Sequence, residues 1–370
     1  MEFVLAELLD QVMTAIAGHR PMYIAGGRSK DFYGNTHRIT PSDGHCVVDM
    51  SAYKGVIEYH PAELVMTARA GTPLQEIEAV LAEQRQMLAF EPPHFGPHAT
   101  LGGCVSSGLS GPARMARGSV RDFVLGARLL DGHGRLMSFG GQVVKNVAGY
   151  DVSRLLVGAM GSFGALIDIS VKVVPKPAVS LTLALAMPAS DALASFSKWR
   201  LLPLPITATA WQGEPDGTTG MLSVRLEGSE VAVASARRVI GGEPLLEGDA
   251  QSFWRGLREH THPFFMGDDM LWRLSLPPAA PCSADFPCAL IEWNGGQRWL
   301  RGDLPIDDVR AYAGRAGGHA TLFRAGGSTP RPASGVFHPP EPALLSVMQR
   351  LKNEFDPWHL FNPGRLLVEA

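Results

Sequence analysis

Residues 21–31 read Pro21-Met-Tyr-Ile-Ala-Gly-Gly-Arg-Ser-Lys-Asp31. The apolar run after the proline reads as a short buried strand, and it breaks at once into a tight, polar, glycine-rich turn. Successive backbone N–H groups in such a turn form a concave anion site. Glycine suits it because a phosphate must approach the backbone where a Cβ would collide. Arg28 and Lys30 stand within reach to add positive charge. The same composition also serves plain structural turns, so the surrounding sequence has to decide between the two.

Upstream, Leu5, Leu8, Leu9, Val12 and Ile16 recur at helical spacing and Gly18 ends the run, which predicts a helix over 3–17. Downstream, Cys46–Met50, Gly55–His60 and Leu64–Ala70 read as strands. Thr72-Pro-Leu-Gln75 reads as a capping box with proline at the first helical position, opening a helix through about Gln86. Phe123–Leu130 and Arg135–Phe139 form a hairpin around Asp131-Gly-His-Gly134, and Ala165–Val174 alternates as a strand before the Pro175-Lys-Pro177 boundary. From 179 to 240 the order is strand, helix, strand, strand, helix, which looks like a small α/β sandwich of the split βαβ type. Glu341–Phe355 is a further helix, and no repeat of 20–50 residues is visible in the sequence.

The chain has 370 residues, enough for roughly two to three domains. It is 45% hydrophobic and 19% charged, so it buries a large core. A net charge of −3, from 33 Lys+Arg and 36 Asp+Glu, argues against a nucleic-acid binder. No uncharged apolar window reaches membrane-spanning length, and the acidic start MEFVLAELLDQ lacks the basic region of a signal peptide. A cytoplasmic protein is expected, with any membrane attachment peripheral and through partners. The four cysteines form no Cys-x-x-Cys pair, so no zinc ribbon or common iron–sulfur motif is present.

Glycine is in excess: 41 residues, against a usual share of about 7%. The glycines cluster in the loop at 26–27, at 96–118 and at 140–164. Residues 91–119 hold six of them and only three charges, Glu91, Arg114 and Arg117, which suggests backbone packed close to something large. Four segments then stand in a fixed order: the 26–31 loop; Ala99-Thr-Leu-Gly-Gly-Cys-Val-Ser-Ser-Gly108; Val144-Lys-Asn-Val-Ala-Gly-Tyr-Asp151 with the glycine run to Ile167; and Phe355-Asp-Pro-Trp-His-Leu-Phe-Asn-Pro-Gly-Arg365. There is no G-x-G-x-x-G after the first strand and no P-loop motif.

This set of motifs resembles the flavoproteins with a PCMH-type (vanillyl-alcohol-oxidase-like) FAD-binding domain, and among them the FAD-binding subunit of bacterial glycolate oxidase. The resemblance covers nearly the whole chain. It implies an α+β fold: a two-subdomain FAD-binding domain over 1–177 (about 1–72 and 73–177), a small α/β sandwich over 178–330, and a C-terminal helix and tail over 331–370 that return to the FAD domain. It also implies that Gly26, Gly27, Arg28, Ser29 and Lys30 hold the pyrophosphate, and that Leu101, Gly102, Gly103, Ser106 and Gly108 cover the phosphates and flavin. Gly118 would lie along the cofactor, Ile167 would meet the adenine, and Asn362 and Arg365 would reach the flavin edge. All the glycine clusters would then serve one cofactor envelope.

Two departures qualify this picture. Arg28-Ser29-Lys30 stands where covalent members carry histidine, so FAD is expected to be noncovalent, with His94 and His98 as remote attachment candidates. The H-x-G-D-G-N-like motif of related hydroxy-acid dehydrogenases is absent, and neither His319 nor the His260-Thr-His262 pair replaces it. Oxidising a 2-hydroxy acid needs a base, a hydride acceptor and a cation for the carboxylate. Arg121, Lys145, Tyr150 and Arg324 are the weak candidates for catalysis, and no base can be named. The resemblance implies a complex that oxidises glycolate to glyoxylate and sends electrons to a partner iron–sulfur subunit, beside a paralogous catalytic flavoprotein. The alternatives are a scaffolding or relay subunit for that flavoprotein, and an FAD reductase subunit of a larger redox complex.

Overall fold

The computed structural model describes residues 2–36, 44–141, 150–327 and 331–368. The amphipathic N-terminal run folds as α1 (Glu2–Ala17), burying Leu8, Val12 and Ala15 along one stripe. It leads into β1 (Met22–Ala25), which pairs in parallel with β2 (Cys46–Asp49). A parallel pair needs a crossover, and the 26–31 loop opens that crossover at the carboxyl end of β1. The chain continues as a hairpin, β3 (Val56–His60) and β4 (Val65–Arg69).

α2 (Leu74–Glu83) buries Leu74, Ile77 and Leu81 and is followed by β5 (Gln86–Met87). The expected capping box does not form, and the helix stops short of Gln86. Pro73 is the N-cap residue and makes no side-chain cap bond. The Thr72 hydroxyl instead donates to the Arg69 carbonyl (2.7 Å) and accepts from the Gly55 amide (2.9 Å), closing the loop around β3.

Three short helices follow: α3 (Leu101–Ser107), α4 (Arg114–Arg117) and α5 (Val120–Phe123). β6 (Val124–Leu130) and β7 (Leu136–Gly140) form the expected hairpin. α6 (Val152–Leu155) precedes β8 (Ala165–Lys172) and β9 (Val174–Pro175). β8 inserts between β4 and β6, giving a five-stranded antiparallel sheet in the order β3-β4-β8-β6-β7. The alternation in 165–174 would leave one face of β8 wet, yet seven successive residues are buried. The polar ones are covered by cross-strand partners: Asp168 by Arg128 (2.6 Å) and Ser170 by Thr67 (2.8 Å).

The remaining elements build a second sheet. They run β10 (Val179–Ala186), α7 (Ala189–Trp199), β11 (Ile206–Gly213), β12 (Gly220–Gly228), α8 (Glu230–Ile240), β13 (Glu243–Pro244) and α9 (Glu247–Glu259). Then come β14 (Leu271–Ser275), β15 (Leu290–Glu292), β16 (Gln297–Arg301), α10 (Ile306–Arg315), β17 (His319–Arg324) and α11 (Pro342–Phe355). The split βαβ order read from 179–240 is present: β12 lies between β10 and β11. The same topology recurs in the second half, although the sequence shows no repeat. Outward from the β11–β15 junction, each half runs second, third, first, fourth strand, so the eight-stranded order is β13-β10-β12-β11-β15-β16-β14-β17. The second half has a proline-rich loop where α7 stands in the first.

The two faces of this sheet have different company. One buries Trp211, Trp272 and Leu300 under Phe196 of α7, Val233 of α8 and Val309 of α10. The other presents Ala208, Ala210, Leu271, Leu290 and Trp299 to Tyr33, Leu109 and Met160 and to Trp254 and Leu257 of α9. Small alanines at the centre of that face let the first half of the chain pack close. Four ions pin the contact: Glu91 to Arg225 and Arg117 to Glu227, each at 2.7 Å. After α11 the tail returns to the first sheet pair, where Phe361 bridges to Met22.

Candidate functional site

The 26–31 loop lines a cleft shared with Met50, Ala70, the inner side of α3, the 160–166 turn, Asn362 and Arg365. Its geometry follows from the glycines. A Cβ at Gly27 would stand 1.4 Å from the His98 carbonyl oxygen, and one at Gly26 would meet the Thr100 hydroxyl at 2.6 Å. Only bare backbone lets the loop lie against the segment that enters α3. Arg28 takes a left-handed φ of 57°. The amide N–H groups of Gly27, Arg28, Ser29 and Lys30 take no acceptor among the described residues. Four adjacent unsatisfied donors on a polar cleft suit an anionic ligand such as a pyrophosphate.

α3 contributes closeness rather than charge. Thr100 caps it by accepting from the Gly103 amide, and the Gly102 amide is taken by the Ala70 carbonyl (2.7 Å). Gly102 is required there, since its Cβ would sit 2.9 Å from Ala70. Gly102, Gly103, Ser106 and Ser107 face the cleft; Leu101 turns into the core.

The C-terminal tail straps the cleft. Asn362 accepts from the Ile24 amide (2.9 Å) and donates to the Met160 carbonyl (2.6 Å), so it ties β1 to the 160–166 turn. Arg365 donates to the Tyr23 hydroxyl (2.7 Å) and to the carbonyls of Lys30 (3.2 Å) and Tyr33 (3.3 Å). It therefore holds the outer side of the 26–31 loop in place.

The structure redistributes the other expected residues. Lys30 lines the cleft, but its Nζ is turned to the His94 carbonyl (3.3 Å) and over the Phe95 ring, and burial pulls its pKa down. Gly108 ends α3 in a left-handed conformation against Gly158, Gly118 ends α4 beside Asp122, and the Ile167 carbonyl is taken by the Ala70 amide. None of these three lines the cleft. Gly111 is likewise set by protein, with its Cβ position 2.4 Å from the Glu91 carbonyl. The glycine cluster at 96–118 therefore serves two surfaces, the cleft at its start and the second sheet at its end.

The weak catalytic candidates do not converge. Arg121 is exposed and donates to the Val157 carbonyl; Tyr150 is 93% exposed. Arg324 bonds the Phe265 carbonyl and His260 beyond the cleft, and Lys145 lies outside the described residues. His94 meets Glu78 (3.2 Å) and His98 is exposed; neither lines the cleft.

A second cavity went unread in the sequence. It lies under the second sheet, beside the Leu109–Pro112 turn, and includes His260, Arg273, Glu292, Gln297, Trp299 and Phe323. These residues come from α9's C-terminus and from β14 to β17, so no local spacing joins them. The one available signal was Glu292 at the end of the apolar run Ala289-Leu-Ile291. Burial pushes its carboxyl up to about 7, against hydrogen bonds from Trp299 and Gln297 that oppose the rise. His260 is held neutral by burial and by Arg324 and Arg273.

The Glu292 shift has a measurable consequence. Its pKa in the folded chain lies above the ordinary 4.5. The native state thus binds the proton more tightly, and stability falls as pH rises from that value through about 7. Glu292→Gln is expected to remove this loss, gaining on the native chain by up to about 3 kcal/mol at pH 8 and little near pH 4.5. Urea unfolding of both proteins across that range checks it; a difference that does not grow with pH contradicts it.

An FAD binding domain model matches residues 6–140. The chain is 44% identical over 363 residues to glycolate oxidase subunit GlcE of Escherichia coli (strain K12), covering 98% of this chain and 97% of that protein. It is 28% identical over 176 residues to glycolate oxidase subunit GlcD of Bacillus subtilis (strain 168), covering 47% of this chain and 36% of that protein. Among solved structures, an alkyldihydroxyacetonephosphate synthase superposes with a TM-score of 0.68 at 15% identity, over 98% of this chain and 76% of that one, which shows a shared fold. The chain belongs to the family of FAD-binding glycolate oxidase subunits, within the PCMH-type flavoproteins.

Proposed function

We propose that this chain is the FAD-carrying subunit of a complex that oxidises glycolate to glyoxylate and passes the electrons to a partner iron–sulfur subunit. The observation that carries the reading is the row of amides at Gly27–Lys30 that take no acceptor among the described residues, on a cleft where Gly26, Gly27 and Gly102 pack too closely for a Cβ. Those amides would bind the pyrophosphate of FAD, with Gly102, Gly103 and Ser106 closing over it. Asn362 and Arg365 keep the loop and the 160–166 turn in register. When bound, FAD supplies the hydride acceptor. The fit favours noncovalent FAD, because no histidine among the described residues lines the cleft. The sequence holds no cysteine cluster motif, which supports an iron–sulfur centre on another chain. No helix among the described residues is long and apolar enough to cross a membrane.

The test is anaerobic reduction of the purified chain's flavin by glycolate, with NADH as the other donor. Bleaching by glycolate alone supports direct oxidation. Bleaching only when a paralogous flavoprotein is added supports the scaffolding reading, which the missing H-x-G-D-G-N-like motif favours. Bleaching by NADH supports a reductase subunit. Purified chain with no visible flavin band overturns the direct-oxidation and reductase readings and leaves scaffolding, and flavin that stays with acid-precipitated protein overturns noncovalent attachment.

A further inference from the structure

The cavity beneath the second sheet is polar where a core would be apolar, and its polar atoms are incompletely paired. Glu292 is 4% exposed. Its Oε2 accepts from Trp299 Nε1 (2.6 Å) and Gln297 Nε2 (3.1 Å), while its Oε1 receives no donor among the described residues. Gln297, 5% exposed, donates through its amide nitrogen, and its carbonyl oxygen is buried without a partner among the described residues. A buried acceptor without a donor is costly, so a second ligand-supplied donor is favoured at this point.

Arg273 projects from β14 into the same cavity. Among the described residues it donates once, to the Tyr33 hydroxyl (3.0 Å), and its guanidinium packs over the rings of Tyr33 and Phe323. It forms no ion pair with a carboxylate among the described residues, although Arg225, Arg117, Arg128 and Arg301 all do. An arginine fork without its anion is matched by a carboxylate. Phe323, Trp299 and the neutral His260 form an apolar wall around it.

We propose that this cavity binds a small hydroxy-carboxylate, with the carboxylate on Arg273 and the single hydroxyl proton shared between the acceptor oxygens Glu292 Oε1 and Gln297 Oε1. The site stands on these side chains alone. That its ligand is the compound oxidised rests on the function proposed above.

The test uses full-length protein with its flavin reduced in advance by dithionite, so that binding is measured without turnover. Glycolate is titrated by calorimetry, with acetate lacking the hydroxyl and ethylene glycol lacking the carboxylate. Glycolate is expected to bind at least about tenfold more tightly than either. Arg273→Ala is expected to weaken glycolate and acetate alike by about tenfold or more, and Glu292→Gln to weaken glycolate but not acetate. If Arg273→Ala does not fold, Gln297→Leu removes the unpaired carbonyl together with the amide donated to Glu292, and is expected to narrow the preference for glycolate over acetate. Unchanged glycolate affinity in folded Arg273→Ala, or in Gln297→Leu together with Glu292→Gln, overturns the site. Binding that follows these expectations, in a protein whose oxidised flavin glycolate never reduces, keeps the site and overturns the redox reading instead.

Discussion

Replacing Asp356 with alanine is expected to cost about 3–5 kcal/mol of stability and to lower flavin content with it. Asp356 is fully buried after α11. It pairs with Lys352 (2.6 Å) and accepts the amides of Leu360 (3.0 Å) and Phe361 (2.8 Å), which shapes the turn that sends the tail back to β1. Lys352 in turn donates to the carbonyls of Ser162 (2.7 Å) and Phe361 (3.0 Å), so the pair also holds the 160–166 turn. Removing the carboxylate takes this counter-charge from the buried Lys352 ammonium and leaves two buried amides without their acceptor. Without that turn, Asn362 and Arg365 lose their register on the cleft. Urea unfolding and the flavin-to-protein absorbance ratio measure the two effects. A Lys352→Met, Asp356→Leu double variant is expected to lose less than the sum of the single changes, because neither charge is then stranded. A single-variant loss below about 1 kcal/mol contradicts this account.

Gly27→Ala is expected to abolish flavin binding and to lower stability by about 1–3 kcal/mol. The new methyl would stand 1.4 Å from the His98 carbonyl oxygen and 2.3 Å from its carbon, so backbone, not a flexible side chain, has to move. The displaced segment carries Thr100, the cap of α3. The loop amides and the covering helix therefore separate together. Gly248→Ala is the control: nothing lies within 4 Å of its Cβ position, in the first turn of α9. It is expected to retain FAD and to be neutral or stabilising by up to about 1 kcal/mol. Equal flavin content in both variants would refute the assigned role of the loop.

Much of the site was legible because its parts are local. A strand running into Gly26-Gly27, the small residues of α3 and the Asn362-Pro-Gly-Arg365 tail each announce themselves within a few residues. Their motif order also pointed to the family. What misled was reading every glycine cluster as cofactor contact. Gly111 and Gly118 meet Glu91 and Asp122, because tight backbone packing against protein and against a ligand leave the same composition. Tyr150 and Arg121 stood near the right motifs but point to solvent or to a local carbonyl.

The sequence alone determined the strand-to-loop element, the split βαβ order after residue 178, and the flavoprotein family, since these rest on local backbone chemistry and short periodicity. Only the tertiary structure decided which amides stay free, that two matching halves build one eight-stranded sheet, and that Arg273, Glu292 and Gln297 share a cavity. Those three residues sit on three strands, and a residue's face on a strand is set by pairing register with distant neighbours. Whether a buried polar atom has a partner is a property of the closed fold, which no stretch of sequence carries.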